Sequence, residues 1–415
     1  MAEPVTVPGD KSIAHRALML AALADGDSVV RNLPGGLDVR STQRVLGALG
    51  VAFRAADGAL IVTGSGGALH SPREPVDCGN SGTTIRLMTG ILATRDVDVT
   101  LDGDASLRSR PMRRVAEPLA PFGAEIALSA SGTAPVRVRG NAAAPAADVA
   151  IAIASAQVKS AALLAALGAH GTSRVHGAIA TRDHTERLLR AFGVGCAADG
   201  DALLIEGPAR LRATEIDVPG DMSSAAFLLA AAAAVPGARV VVDDVGLNPT
   251  RTAFLDVLRR FGADVSVEPV DPAAAEPRGR VVVQGAPLRA VEIAPAEVPG
   301  LIDELPLVGV LGAFARGTTT VRGAAELRIK ESDRIATFAA AARALGVDVE
   351  TFDDGFAVRG PARFRSGAVV TAGDHRIAMA FSVAARAAGV GVRLDDPDCM
   401  AVSFPGFAAA LDAVA

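Results

Sequence analysis

The 415-residue sequence predicts an α/β fold built from six similar units. One pattern recurs along the chain: a helical stretch rich in Arg and Leu, a short turn containing glycine, and a β-like run. Glycine after a helix is the usual C-cap, and β-branched runs favour strands, so each copy predicts one helix–strand unit. The stretch 407–414 reads as a sixth helix. The turn glycines recur at nearly regular intervals, at Gly50, Gly123, Gly193, Gly262 and Gly346.

The length of the chain and a short repeated sequence predict a division into two domains. A chain of 415 residues exceeds the size at which a single core keeps growing, so we expect two domains of three units each. The sequence Val-Pro-Gly-Asp at 218–221 repeats the sequence at 7–10. This repeat indicates that the second half begins near residue 219 and arose by duplication.

Composition argues against several classes of protein. The net charge of -5, with 3% aromatic residues and neither Trp nor Tyr, argues against a nucleic-acid binder. Apolar runs such as 225–235 are too short and too rich in alanine to span a bilayer. The three cysteines are far apart, which predicts neither a disulfide framework nor a zinc site. Residues 1–4 lack a signal-sequence pattern, and we expect a cytoplasmic protein.

Lysine usage is the most unusual compositional feature. Of 41 Lys and Arg residues, only Lys11, Lys159 and Lys330 are lysines. Lysine carries a compact ammonium that can approach one oxygen closely and can lose its proton, whereas arginine does neither readily. The pattern therefore favours special roles at these three positions. Chance survival in an arginine-rich sequence is the alternative.

Several segments join a turn of small or charged residues to a predicted helix. Unpaired N–H groups at a helix start favour anions, and arginine forks suit phosphate and carboxylate. An ordinary capped helix or a solvated basic surface is the alternative for each. These segments are 8–16, 78–86, the arginine-rich 106–114, 154–160 and 181–186.

The second half adds carboxylates beside basic residues. Asp303, within 301–306, lies in an apolar setting that suits a general base, although an acidic helix start explains it equally. Lys330 and Arg334 share one helical face, and Glu331 lies next to both as a candidate general acid. A surface ion-pair face is the alternative there. Arg376 begins a helix of small residues.

Signatures of metal, nucleotide and serine-hydrolase chemistry are missing from the sequence. The six histidines are scattered, and no Rossmann fingerprint, metalloprotease motif or nucleophile elbow occurs. The chemistry that remains is Arg and Lys electrostatics together with acid–base work by carboxylates and lysine.

Taken together, these segments resemble the enolpyruvyl transferase family. The resemblance implies two inverse α/β barrels of three units each, one covering 13–218 and the other 1–12 with 219–415, and an active site in the cleft between them. The matching motifs extend over nearly the whole chain in family order: PGDKSIAHR at 8–16, GNSGTTIRL at 79–87, SRPM at 109–112, ASAQVKSA at 154–161, TRDHTE at 181–186, PGDMSSAAF at 219–227, IDELP at 302–306, RIKESDR at 328–334 and DHRIAM at 374–379.

The resemblance also implies a reaction. The enolpyruvyl group of phosphoenolpyruvate passes to the 5-hydroxyl of shikimate 3-phosphate, and phosphate leaves, by addition and elimination through a tetrahedral intermediate. The family needs no metal or organic cofactor, works as a monomer and supplies aromatic amino-acid biosynthesis. Asp303 is expected to take the hydroxyl proton. Glu331 and Lys11 are expected to protonate the methylene carbon, and which of them dominates stays open.

Motif matching assigns the remaining contacts. The expected shikimate 3-phosphate ligands are Lys11, Ser12, Arg16, Ser155, Ala156, Gln157, Arg182, Asp303 and Lys330. The expected phosphoenolpyruvate ligands are Lys11, Asn80, Gly82, Arg110, Gln157, Arg334 and Arg376.

Two departures from the family pattern affect these expectations. Residues 399–403 precede Phe404-Pro405 without the lysine that many members carry there. The segment with Lys159 resembles a glyphosate-insensitive subgroup, yet those enzymes often have alanine at the position of Gly82. Because a methyl group would crowd the inhibitor, Gly82 predicts at least partial sensitivity to glyphosate.

Two rival functions stay open at this point. The related enzyme that acts on UDP-N-acetylglucosamine uses a loop cysteine near its arginine cluster, but residues 104–114 contain no cysteine. A non-enzymatic scaffold with an arginine-rich face for nucleic acid is disfavoured by the acidic net charge.

Overall fold

A computed structural model describes residues 3–271 and 274–414. Contacts within the chain define two compact units, one formed by Gly9–Val218 and the other by Met1–Pro8 with Pro219–Ala415. Residues 9–12, expected in the domain with the C-terminal half, lie in the first unit. The physical reason is local: Asp10 caps the helix that starts at Lys11, accepting hydrogen bonds from the N–H groups of Ser12 and Ile13.

The Gly9–Val218 unit alternates helices and strands. Its helices are α1 (Lys11–Leu23), α2 (Leu37–Ala48), α3 (Gly82–Ala93), α4 (Ala105–Arg108), α5 (Arg113–Leu119), α6 (Ala156–Ala166) and α7 (His184–Ala191). Its strands are β1 (Asp27–Arg31), β2 (Ala52–Ala56), β3 (Ala59–Thr63), β4 (Val76–Asp77), β5 (Asp98–Asp102), β6 (Glu125–Ala127), β7 (Val136–Arg139), β8 (Asp148–Ala150), β9 (Gly171–His176), β10 (Ala197–Asp199), β11 (Ala202–Gly207) and β12 (Glu215–Asp217).

The same sheet occurs three times in this unit. The strand orders are β12-β1-β3-β2, β4-β5-β7-β6 and β8-β9-β11-β10. In each sheet the first pair is parallel and the other two pairs are antiparallel. The three predicted α/β units of this half therefore share one topology.

The second unit continues the series. Its helices are α8 (Met222–Ala233), α9 (Ala253–Phe261), α10 (Val298–Leu301), α11 (Leu305–Phe314), α12 (Arg334–Ala344), α13 (His375–Ala388) and α14 (Phe407–Asp412). Its strands are β13 (Arg239–Gly246), β14 (Asp264–Asp271), β15 (Arg278–Gln284), β16 (Glu292–Ile293), β17 (Gly317–Val321), β18 (Asp348–Phe352), β19 (Gly355–Gly360), β20 (Gly367–Val369) and β21 (Val392–Leu394). Short 3₁₀ turns cover Ala120–Phe122, Pro295–Glu297, Ala325–Ile329 and Asp398–Val402.

Among the described residues of the second unit, one sheet is complete. Its order β16-β17-β19-β18 repeats the pattern of the first unit, whereas within the same residues β13-β15-β14 lacks the parallel edge strand and β20-β21 lacks the hairpin. A parallel bridge from Val5 to Val242 stands in the position of the missing edge strand. This bridge explains why the first residues of the chain belong to the C-terminal unit.

Glycines set the ends and the spacing of the helices. All five predicted turn glycines have positive φ, between 76° and 111°, which confirms the repeat read from the sequence. Gly90 on α3 serves a different purpose, because a Cβ there would lie 2.2 Å from the carbonyl oxygen of Ala161 on α6. Each unit has its own buried core, and α3 and α6 pack closely within the first.

His15 generates a prediction about stability. It lies fully buried on α1, and burial lowers the pKa of its imidazole from 6.5 to about 4, with partial opposition from the carboxylate of Asp38. Between about pH 4 and pH 6.5, therefore, His15 is protonated in the unfolded chain and neutral in the folded chain. The free energy of unfolding should fall by about 3 kcal/mol as the pH drops from about 6.5 to about 4. Above about pH 6.5 the ionisation of His15 should not change the free energy of unfolding.

Urea denaturation at about pH 5 and about pH 7 measures this effect. We expect the variant His15→Asn to lose less stability than the wild type between the two conditions. Equal losses in both proteins would contradict a depressed pKa at His15.

Candidate functional site

The first group of candidate residues gathers at the helix starts of the Gly9–Val218 unit and is called the helix-end cluster. It comprises Lys11, Ser12 and Arg16 of α1, Asn80 and Gly82 at α3, and Ser155, Ala156 and Gln157 at α6. Ser81 caps α3 by accepting from the N–H of Thr84, and Ser155 caps α6 by accepting from the N–H of Val158. Capping holds each first turn and leaves the next side chains projecting from it.

Hydrogen bonds connect the helices of the helix-end cluster. Gln157 accepts from Nη1 of Arg86 at 2.6 Å and donates to the hydroxyl of Thr83 at 3.0 Å, which joins α6 to α3. Arg16 donates to the hydroxyls of Ser160 and Thr185, each at 2.7 Å. Arg16 is only 3% exposed, so its guanidinium is largely engaged by the protein.

Lys11 of the helix-end cluster and Arg110, which contacts Asn80 of the cluster, are two further cations. Lys11 Nζ lies 2.9 Å from a carboxylate oxygen of Asp38. Arg110 donates to the side-chain oxygen of Asn80, and it also reaches the hydroxyl of Ser106 at 3.2 Å. Arg182 lies just before α7, next to Asp183 at the N-cap position. The cluster therefore combines cations with hydroxyl groups and an amide.

Gly82 lies directly between two guanidinium groups. A Cβ at this position would be 3.0 Å from Nη1 of Arg86 and 3.1 Å from Nη1 of Arg110. These contacts are tighter than ordinary van der Waals separation, and both arginines are tied to other side chains. A methyl group at position 82 would therefore press on both guanidinium groups, and glycine avoids this crowding.

The second group lies within the unit that contains Pro219–Ala415 and is called the carboxylate cluster. It is centred on Arg334, the first residue of α12, which is 1% exposed. Arg334 bonds Asp374 at 2.8 Å, Glu331 at 2.5 Å and Asp303 at 3.4 Å. Burial alone would lower the pKa of Arg334, but these three carboxylates overcome it and raise the pKa above its ordinary value.

Arg376 completes the carboxylate cluster. Its Nη1 donates to the backbone carbonyl of Asp303 at 3.2 Å, and its Nε lies 3.8 Å from the carboxylate of the same residue. Asp303 is thus flanked by Arg334 and Arg376. Lys330 closes the preceding 3₁₀ turn and is half-buried. This arrangement keeps a carboxylate beside two cations, which is suited to proton transfer next to an anionic substrate.

Two buried acids in this cluster were not among the site residues assigned from the sequence. Asp374 caps α13 and bonds Arg334; burial alone would raise its pKa, but Arg334 more than offsets this and the pKa lies below its usual value. Glu304 is 3% exposed, accepts from the hydroxyl of Ser223 and lies 3.8 Å from Nη1 of Arg376. In the sequence both acids look like helix caps. The arginines that they contact, Arg334 for Asp374 and Arg376 for Glu304, lie far from them along the chain.

The profile of the EPSP synthase (3-phosphoshikimate 1-carboxyvinyltransferase) family matches residues 1–411. The chain belongs to the EPSP synthase family. Relatives named 3-phosphoshikimate 1-carboxyvinyltransferase are 49% identical over 410 residues in Anaeromyxobacter sp., covering 98% of this chain and 95% of the relative, and 48% identical over 403 residues in Halorhodospira halophila, covering 97% and 91%.

Solved structures agree with this membership. An EPSP synthase from Acinetobacter baumannii superposes with a TM-score of 0.86 at 38% identity, over 99% of this chain and 95% of that one. The enolpyruvyl transferase NikO from Streptomyces tendae superposes with a TM-score of 0.78 at 19% identity, over 100% and 95%, and this likeness concerns the fold alone. The predicted family and the predicted two-domain α/β fold are confirmed.

Among residues 3–271 and 274–414, none of the helices combines the length and apolar character that a bilayer span requires. The same ranges hold no group of three or more His, Cys, Asp or Glu side chains arranged to bind a metal ion.

Lys159 occupies a buried position on α6. Its side chain is 1% exposed, bonds the carbonyl oxygen of Thr181 at 3.0 Å and pairs with Glu186 at 2.6 Å. The other carboxylate oxygen of Glu186 is buried and makes no hydrogen bond to any residue that the structure describes. Lys159 therefore fastens the segment before α7 to α6 and neutralises a buried acid.

This pair predicts a large effect on stability. The variant Lys159→Met leaves Glu186 buried without its cation and should lower the free energy of unfolding by about 3–5 kcal/mol. Adding Glu186→Gln should recover most of that loss, because the stranded charge disappears. Chemical denaturation measures both effects.

A control lies on the same helix as Glu186. Arg187 and Asp183 pair at 2.9 Å, but their side chains are 22% and 26% exposed. The variant Arg187→Met should therefore cost no more than about 1 kcal/mol. A loss at Lys159 no larger than the loss at Arg187 would contradict the assigned role of the buried pair.

Proposed function

We infer that the chain catalyses the family reaction, the transfer of the enolpyruvyl group of phosphoenolpyruvate to the 5-hydroxyl of shikimate 3-phosphate. The observation that carries the inference is the carboxylate of Asp303, which is flanked by Arg334 and Arg376. Glu331 pairs with Arg334 as well. Family membership supplies the substrates. The helix-end cluster supports it further, since it offers cations, hydroxyl groups and an amide to phosphorylated, hydroxylated anions.

The chemistry assigns one role to each group. Asp303 takes the proton of the 5-hydroxyl as the oxygen attacks C2 of phosphoenolpyruvate, and a proton is added at the methylene carbon. In the second step a proton leaves that carbon, the double bond re-forms, and the bond from C2 to the phosphate oxygen breaks. The proton taken from the 5-hydroxyl is released with the phosphate, and the proton added to the methylene carbon returns to its donor. Arg334 and Arg376 offset the negative charge on the substrate as it reacts.

Lys11 and Glu331 are the two candidates for protonating the methylene carbon. Lys11 is 19% exposed on its side chain, and within the described residues its ammonium pairs with Asp38. Glu331 is 27% exposed and pairs with Arg334. We propose that both groups act on the same pair of substrates, with Lys11 contacting both substrates and Lys330 the shikimate 3-phosphate.

We also propose that the enzyme works as a monomer in the cytoplasm. The cysteines are free thiols, and Cys78 and Cys399 are buried. Burial raises the pKa of the half-exposed Cys196 to about 11, so its thiol stays protonated and weakly reactive. These properties fit a reducing compartment, and sedimentation velocity would reveal any larger assembly.

The variant Lys11→Arg tests the assignment directly. A phosphate-release assay with shikimate 3-phosphate and phosphoenolpyruvate should show turnover by the wild type and a loss of about 100-fold or more in the variant. Arginine keeps the charge, but its wide planar group cannot replace a compact ammonium beside Asp38.

The exposed Arg54 on β2 offers a control, and Arg54→Lys should keep full activity. Near-normal turnover by Lys11→Arg would remove Lys11 from the proposed mechanism. Turnover supported only by UDP-N-acetylglucosamine in place of shikimate 3-phosphate would overturn the proposed function itself.

Gly82 predicts the response to glyphosate. Because Gly82 carries no methyl group to crowd Arg86 and Arg110, millimolar glyphosate should inhibit the wild type. The variant Gly82→Ala should need a markedly higher inhibitor concentration and also bind phosphoenolpyruvate less well, since its Cβ would press on both guanidinium groups.

Inhibition curves for the wild type and two variants decide this point. Gly47→Ala on α2 is the matched control, because its Cβ would meet only Phe53 at an ordinary 4.0 Å. A wild type unaffected by millimolar glyphosate, or a Gly47→Ala curve equal to that of Gly82→Ala, would contradict the prediction.

A further inference from the structure

A chain of buried hydrogen bonds leads from the core of the first unit to the helix-end cluster. His15 Nδ1 on α1 lies 2.6 Å from the hydroxyl oxygen of Thr42 on α2. That oxygen lies 2.7 Å from the hydroxyl oxygen of Thr84 on α3, which lies 2.7 Å from the hydroxyl oxygen of Ser81. All four residues are at most 1% exposed. The chain ends at the residue between Asn80 and Gly82.

The ring of His15 fixes the direction of these bonds. Its other nitrogen, Nε2, is buried and makes no hydrogen bond in the described part of the chain. If Nε2 carried the proton, a buried N–H donor would lack an acceptor, which is unfavourable. The favoured tautomer therefore has the proton on Nδ1. Nδ1 then donates to Thr42, Thr42 to Thr84, and Thr84 to Ser81.

This direction determines what Ser81 does. Its hydroxyl oxygen accepts from both the hydroxyl and the backbone N–H of Thr84, the latter at 3.2 Å. Both acceptor positions of the oxygen are thereby occupied by the first turn of α3. In the reverse direction Ser81 would donate its proton to Thr84, and one acceptor position of its oxygen would be left unoccupied by the first turn of α3.

We propose that His15 is a positioning residue for the anion-binding turn at Asn80–Gly82, acting through Thr42, Thr84 and Ser81. The one-way chain keeps Ser81 as an acceptor, holds the first turn of α3, and so keeps Gly82 and Asn80 placed for phosphoenolpyruvate. None of the four side chains belongs to the assigned substrate contacts. This role rests on the proposed function, because phosphoenolpyruvate is the ligand whose binding it serves.

Ring ¹⁵N NMR of the full chain tests the direction without any substrate. His15 should show a protonated Nδ1 and a bare Nε2 at neutral pH, with its signals identified by their loss in His15→Asn. The variant Thr84→Val removes the acceptor of the Thr42 proton and should shift the tautomer of His15. A protonated Nε2 in the wild type would overturn the proposal.

Kinetics test the positioning role. Thr84→Val should raise KM for phosphoenolpyruvate about tenfold with a smaller change in kcat, and Thr84→Ser should restore it. Thr89→Val is the matched control: Thr89 lies on the same helix and is fully buried, and among the described residues its hydroxyl bonds the backbone carbonyl of Ile85 alone. We expect it to resemble the wild type.

The outcomes separate this inference from the proposed function. Equal effects of Thr84→Val and Thr89→Val on KM would show a general packing effect and overturn the positioning role. A wild type without turnover on the two substrates would instead overturn the proposed function, while the NMR result would still report the direction of the chain.

Discussion

The unpaired N–H groups at the start of a helix are the constraint on which both candidate clusters depend. These groups need an acceptor, and Asp10, Ser81, Ser155, Asp333 and Asp374 supply one to the helices that follow them. A capped start fixes the conformation of the first turn, where side chains can reach a ligand at the helix end. Most of the assigned substrate contacts on helices lie in such a turn, namely Lys11, Ser12, Gly82, Ala156, Gln157, Arg334 and Arg376.

The carboxylate cluster shows how this constraint combines with charge. Arg334 starts α12 but is almost completely buried, which is tolerable only because three carboxylates surround it. Asp374 serves two helices at once, since it caps α13 and bonds Arg334. The start of α13, and with it Arg376, is therefore tied to the buried cation. Removing one member would disturb the positions of the others.

Local signals made the fold predictable, whereas the long-range partners were not. The turn glycines predicted the repeat because positive φ is a property of a single residue. The segment at Val5 takes the place of an edge strand by pairing with Val242, which is far along the chain. Asp374 and Arg334 are likewise 40 positions apart, and a capping aspartate looks the same in sequence whether or not it bonds an arginine. Motif matching found the cations together with Asp303 and Glu331, but only the packed chain shows that Asp374 faces Arg334 and Glu304 faces Arg376.

The scarcity of lysine now separates into two physical causes. Lys159 is 1% exposed, and its compact ammonium contacts both Glu186 and one carbonyl oxygen. Its retention is explained by packing and charge neutralisation within the core. Lys11 has the same compact head, yet it lies in the first turn of a capped helix, is partly exposed and has one carboxylate partner. A rare lysine therefore indicates a position that needs a point charge, and its exposure determines whether that charge serves the core or is available to a substrate.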